Sequence, residues 1–79
     1  MRKKELKLVV TFHTTADAMA MEKACKADQI PGRLIPVPRS ISAGCGLSWK
    51  TKPEEKEKIL VFLEEEKLKW EAMYELELY

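Results

Sequence analysis

Cys45 is the residue best suited to chemistry, because of its thiol and its position between Gly44 and Gly46. Glycine adopts positive φ readily and lets another molecule approach the backbone, so a cysteine between two glycines is predicted to face solvent. Sulfur exchange requires a thiolate that a partner can reach. The sequence therefore predicts a reactive thiol at Cys45, and the competing interpretation is a loop cysteine with no chemical role.

The elements around this loop follow from hydrophobic periodicity. Leu6, Leu8, Val10 and Phe12 fall on one face of an alternating run, which predicts a strand buried on at least one side. The same reasoning gives six elements: a strand over 6–13, a helix over 16–28, strands over 33–37 and 47–51, a helix from position 53, and a strand over 70–78. Thr14 or Thr15 is the expected N-cap of the first helix, Pro31-Gly32 ends that segment, and Pro53 suits the first turn of the second helix. The order is therefore β-α-β-β-α-β.

This order is typical of an α+β ferredoxin-like sandwich, in which two helices cover one face of a four-stranded antiparallel sheet. We expect one such domain over residues 1–79. Pro36 and Pro38 lack the N–H that a sheet ladder needs, which predicts an edge position for the second strand.

The expected topology brings several polar residues to one edge of the sheet. The end of the first strand, the start of the first helix and the loop after the second strand share that edge, so His13, Thr14, Arg39 and Cys45 should lie there together. A helix N-terminus carries about half a positive charge. We expect this charge, with Arg39 or His13, to favour a thiolate at Cys45.

Composition excludes several classes of function. The 79 residues are 46% apolar and 34% charged with a net charge of +1, whereas a protein that binds nucleic acid generically needs a clustered basic surface. No signal-peptide h-region follows the charged N-terminus, and no apolar run approaches the roughly 20 residues of a membrane span. We expect a cytoplasmic protein that binds neither nucleic acid nor membrane.

The cysteines and the single histidine are too few for a metal centre. Cys25 and Cys45 are neither a secreted disulfide framework nor a zinc motif, and His13 adds one ligand at most. Cys25 falls on the apolar stripe of the first helix and is predicted to be a core residue. We expect reduced thiols, no metal and no cofactor.

Three segments of the sequence are distinctive, namely Val10-Thr11-Phe12-His13-Thr14-Thr15, Leu34-Ile35-Pro36-Val37-Pro38-Arg39 and Ser42-Ala43-Gly44-Cys45-Gly46-Leu47. Together with Ala18 and Glu22-Lys23, they resemble a known family, the selenium/sulfur carrier-like small proteins of bacteria. The resemblance extends from Lys7 to Trp70. It implies that Cys45 holds sulfur or selenium as a persulfide or selenopersulfide between a donor protein and an acceptor protein. Such a carrier works with partners and is not a free-standing enzyme.

This sequence differs from the sulfur carriers that have a Cys-Pro-x-Pro motif at the start of a helix. Here the prolines precede the cysteine, and a strand follows it. The alternative function is a small ligand-binding or protein-interaction module in which Cys45 is incidental. A carrier needs an exposed Cys45, whereas a ligand-binding module needs an enclosed pocket. A homodimer through the sheet face or an edge strand is compatible with both.

Overall fold

The computed structural model describes residues 3–41 and 45–78. Its elements are β1 (Glu5–Thr11), α1 (Thr15–Ala27), β2 (Arg33–Pro36), β3 (Leu47–Thr51), α2 (Lys56–Glu65) and β4 (Ala72–Leu78). The strands form one antiparallel sheet in the order β2-β3-β1-β4. The predicted α+β class, with a four-stranded antiparallel sheet and two helices, is confirmed.

The register of the central strands fixes which ends of the sheet meet. β3 lies between β1 and β2, with Thr11 opposite Ser48 and Pro36 opposite Leu47. The carboxyl ends of β1 and β2 therefore lie beside the amino end of β3. β2 is an edge strand, as its prolines indicated.

One face of the sheet carries the hydrophobic core. Leu8 and Val10 on β1 are fully buried, as is Phe12 directly after it, and Trp49 on β3 is only 2% exposed. They share a single cluster with three residues of each helix, namely Ala18, Met21, Cys25, Ile59, Phe62 and Leu63. Both helices therefore pack on this face. Each large side chain buried in this way contributes roughly 1.5–3 kcal/mol.

The sheet face opposite the helices is buried at its centre, whereas an open antiparallel sheet exposes that face to solvent. Met73 on β4 lies opposite Val10 and faces the helices, so the alternating apolar residues Tyr74 and Leu76 face the other way. At the centre of this second face, Val9, Thr11 and Ser48 are fully buried. The more apolar side of β4 thus lies on the face without helices.

The first helix begins at a capping residue, whereas the second has no side-chain cap. The Asp17 N–H donates to Thr14 Oγ1 at 3.1 Å, and Thr14 has the extended backbone of an N-cap. The second helix begins later than Pro53 indicated, because Pro53–Glu55 form a 3₁₀ turn before α2. The fourth strand likewise begins at Ala72 and not at Trp70.

Candidate functional site

The loop between β2 and β3 is closed at its base by a backbone hydrogen bond, in which the Val37 N–H donates to the Gly46 carbonyl at 3.0 Å. Within the loop, the Ile41 N–H donates to the Pro38 carbonyl at 3.1 Å and forms a turn. Gly46 has a φ of +79°, a conformation that L side chains rarely adopt. The glycine on the other side of the cysteine, Gly44, lies outside the described residues.

Cys45 is half-buried at the base of this loop. Its thiol donates to the Leu47 carbonyl at 3.4 Å, and the Leu47 N–H donates to Cys45 Sγ at 3.4 Å. The side chain also packs against the edge of the hydrophobic core. The thiol is therefore less open to solvent than its glycine neighbours predicted, and its orientation is set by the backbone of Leu47.

His13 and Thr14 lie just beyond β1, after Phe12, at the end of the sheet where β3 begins. Because Thr11 lies opposite Ser48, these two residues and Cys45 belong to the same end of the sheet, as predicted. His13 is exposed, and its Nδ1 lies 3.8 Å from Glu71 Oε2. Thr14 uses its hydroxyl to cap α1. In the described ranges 3–41 and 45–78, neither residue hydrogen-bonds to Cys45.

Arg39 is exposed in the loop that follows β2. It belongs to the same end of the sheet as Cys45, because Val37 and Gly46 are hydrogen-bonded at the base of the loop. Within the part of the chain that the structure describes, no ion pair joins Arg39 to another residue. The expected electrostatic effect of Arg39, His13 and the α1 N-terminus on the Cys45 thiol stays a prediction.

The comparisons with known proteins identify the family. The family model described as "Putative Se/S carrier protein-like" matches residues 7–75, which is nearly the whole chain. The protein belongs to this family. A search of the curated proteins and of the solved structures finds no significant match. The resemblance found in the sequence segments around Cys45 is therefore confirmed at the level of the family.

Within this family member, Glu71 is a residue of the site that the sequence did not single out. Its N–H donates to the Thr11 carbonyl at 2.7 Å, which ties the segment before β4 to the end of β1. This contact places its carboxylate beside His13. Nothing in the sequence signals the pair, because 58 positions separate the two residues (71 − 13 = 58).

The other cysteine of this protein, Cys25, is buried, whereas Cys45 reaches the surface. Cys25 is fully buried among core residues of α1, as predicted. Burial, with a smaller contribution from the charge of Asp28, raises the pKa of the Cys25 thiol from its ordinary 9.0 to about 12. At neutral pH this thiol is protonated and inaccessible, so it is unsuited to accept sulfur.

The raised pKa of Cys25 predicts a loss of stability in alkaline solution. Between pH 9.0 and about pH 12 the unfolded thiol ionises while the folded thiol keeps its proton. The unfolded state binds fewer protons there, so stability falls with pH by up to about 1.4 kcal/mol per pH unit. Below pH 9 the stability linked to the raised pKa of the Cys25 thiol is fully present. Chemical denaturation of the wild type and of Cys25→Ala across this range measures it.

The two proteins should differ by about 1–2 kcal/mol near pH 7, because Cys25→Ala removes a buried sulfur atom. This difference in stability is expected to shrink above pH 9 and then to change sign, since the variant has no thiol to ionise. A difference that stays constant up to pH 11 would show that the folded thiol titrates normally.

Two further observations concern metal ligands and membrane spans in the described residues. In residues 3–41 and 45–78, no three His, Cys, Asp or Glu side chains converge as metal ligands do. Neither helix in those ranges is both long and apolar enough to cross a membrane.

Proposed function

We propose that this protein carries sulfur or selenium on Cys45, as a persulfide or selenopersulfide. The observation that supports the proposal is the contrast between its two thiols. Cys45 reaches the surface at the end of the sheet, whereas Cys25 is fully buried. Membership of the carrier family agrees with a sulfur-handling role for the accessible thiol.

The transfer step needs no external oxidant. The Cys45 thiolate attacks the outer sulfur of a donor persulfide, forms the new S–S bond and displaces the donor cysteine as a thiolate. The acceptor then attacks the outer sulfur on Cys45 and releases the Cys45 thiolate. Selenium would move by the same exchange, with the outer sulfur replaced by selenium. In both steps one bond forms, one breaks, and no electrons are gained or lost overall.

The neighbours of Cys45 have positioning and recognition roles in this proposal. The hydrogen bonds to Leu47 hold Sγ in one orientation. Gly46 provides the positive φ that turns the chain into β3 immediately after the cysteine. Arg39, His13 and Thr14 lie on the same end of the sheet, where a donor or acceptor protein must dock to reach the thiol.

Three further proposals concern the fold, the location and the partners of the protein. We propose that the six elements form the ferredoxin-like sandwich, since β3 lies between β1 and β2 and both helices share one core. We place the protein in the cytoplasm, where cysteines such as Cys25 and Cys45 stay reduced. Partners are a donor protein and an acceptor protein.

One observation favours the alternative function, a ligand-binding or interaction module in which Cys45 is incidental. The cysteine packs against the edge of the core and bonds to its own backbone, as a structural residue would. A loading experiment separates the two functions, because only a carrier takes up sulfur on Cys45.

The experiment incubates the purified protein with a cysteine desulfurase and cysteine, followed by intact mass measurement. We expect a gain of one sulfur atom in the wild type and in Cys25→Ala, and no gain in Cys45→Ser. No gain in the wild type, with Cys45 shown to react with an alkylating reagent, would contradict the carrier and favour the module.

A further inference from the structure

A second candidate site lies at the opposite end of the sheet from Cys45. A cavity of about 280 Å³ opens there between the amino end of β2 and the carboxyl end of β3. Four of its lining residues are cations, namely Lys7, Arg33, Lys50 and Lys52. Pro31 and Gly32, which precede β2, complete most of the wall. None of the described lining residues is acidic.

The strand register explains why the cations converge. Arg33 lies directly opposite Lys50 on the neighbouring strand, and Lys50 lies opposite Val9 on β1. Because side chains alternate along a strand, Lys7 shares the face of Val9, and Lys52 shares the face of Lys50. All four therefore belong to the sheet face opposite the helices, at one end of that face.

The four cations concentrate positive charge at this end of the sheet. Like charges directly opposite each other destabilise an antiparallel pair, and Arg33 and Lys50 are such a pair. The chain as a whole has a net charge of only +1, so the clustering is local. A carboxylate that contacts the cluster is Glu5, which meets Lys7 at 3.3 Å and is 73% exposed. Glu5 is not one of the residues that line the cavity.

The shape and chemistry of the cavity indicate the kind of anion. An arginine fork binds two oxygens of a phosphate at once, and lysines add point charges around it. A dianion engages several cations better than a single carboxylate does. The volume exceeds that of a bare phosphate, and Pro31 with the aliphatic stems of the lysines offers an apolar wall. The cavity thus has room for a small organic group beside the phosphate.

We propose that this cavity is a binding site for a small phosphorylated molecule, held by Arg33, Lys50, Lys52 and Lys7. The proposal goes beyond sulfur transfer and shares no residue with the Cys45 end of the sheet. The protein would then have two separate sites at the two ends of β3. One receives sulfur or selenium from a donor protein, and the other binds a soluble phosphorylated ligand.

The test is a titration of the uniformly labelled full chain, followed by ¹H–¹⁵N correlation spectra. Inorganic phosphate and ribose 5-phosphate are added separately, with sodium chloride at equal ionic strength as the reference. We expect saturable shifts at the amides of residues 32, 33 and 50–52, with a dissociation constant on the order of 1 mM or lower. Tighter binding of ribose 5-phosphate identifies a phosphate ester, and equal binding identifies the free oxyanion.

A pair of double variants tests the assignment of residues. Arg33→Gln with Lys52→Gln is expected to weaken binding about tenfold or more, and to leave the melting temperature without ligand unchanged or higher. Lys23→Gln with Lys58→Gln removes the same charge from exposed helix positions and should bind like the wild type. Equal weakening in both double variants, or no saturable shift in the wild type, would overturn the proposal.

Discussion

Gly32→Ala is expected to lower the free energy of unfolding by about 3 kcal/mol or more. A Cβ at this position would lie 2.5 Å from Trp49 Nε1 and 2.6 Å from the Lys50 carbonyl oxygen. Neither neighbour can move freely, because Trp49 is buried in the core and the Lys50 carbonyl belongs to β3. The φ of +129° adds backbone strain for any L side chain. Urea denaturation of both proteins measures the change.

Gly46→Ala is the matched control for this prediction. Gly46 also has a positive φ, but a Cβ there meets no atom within 4 Å. Only the conformational strain remains, so we expect a loss of about 1–2 kcal/mol. The difference between the two variants therefore reports the crowding against Trp49 and Lys50 together with the more unfavourable φ of Gly32. Equal destabilisation by both variants would contradict the close packing of Gly32 on the indole.

This loss would be large for a chain of 79 residues. Domains are stabilised by roughly 0.05–0.15 kcal/mol per residue, or about 4–12 kcal/mol for this length. The Gly32 variant could therefore be substantially unfolded at 37 °C, whereas the Gly46 variant should stay folded.

The second large effect is a difference in alkylation rate between the two thiols. We expect Cys45 to react with iodoacetamide at neutral pH at least about 100-fold faster than Cys25. Cys25 has no exposed surface and a raised pKa, so it can react only when the structure opens. Cys45 is half-buried at the surface, and its sulfur needs only a local movement of the loop.

The single-cysteine variants Cys25→Ala and Cys45→Ser measure each rate by intact mass. The control repeats both reactions in denaturant, where the two cysteines should react at similar rates. Comparable rates in the native proteins would mean that the end of α1 opens readily or that Cys45 is as well protected as Cys25.

The strands and the core could be predicted from the sequence because their signals are local. Alternation at Leu8, Val10 and Phe12 defines the core face of β1 without knowledge of its neighbours. The Thr14 cap and the edge position of β2 also follow from single residues with strong backbone preferences. These features depend on periodicity and on backbone geometry, both of which the sequence contains.

The orientation of β4 could not be predicted in the same way. Its alternation of Tyr74, Leu76 and Leu78 marks one apolar side, but the pairing of Met73 with Val10 turns that side away from the helices. Register between strands that are distant in sequence decides the outcome. Cross-strand register likewise creates the Arg33–Lys50 pair, which no local pattern indicates.

The candidate site was predicted only in part. The common edge of His13, Thr14, Arg39 and Cys45 followed from the expected order of strands. The half-burial of Cys45 did not, because it depends on how the loop packs against the core. Glu71 was missed for a similar reason, since its place beside His13 depends on its hydrogen bond to Thr11.

The central claim is that transferred sulfur resides on Cys45, and peptide mapping tests it most directly. The wild type is loaded by a cysteine desulfurase, blocked with iodoacetamide and digested with trypsin. Cleavage after Arg39 and Lys50 releases residues 40–50, which contain Cys45 and no other cysteine. The account predicts the added sulfur on this peptide. An added sulfur found instead on the peptide that contains Cys25, or on neither peptide, would contradict it.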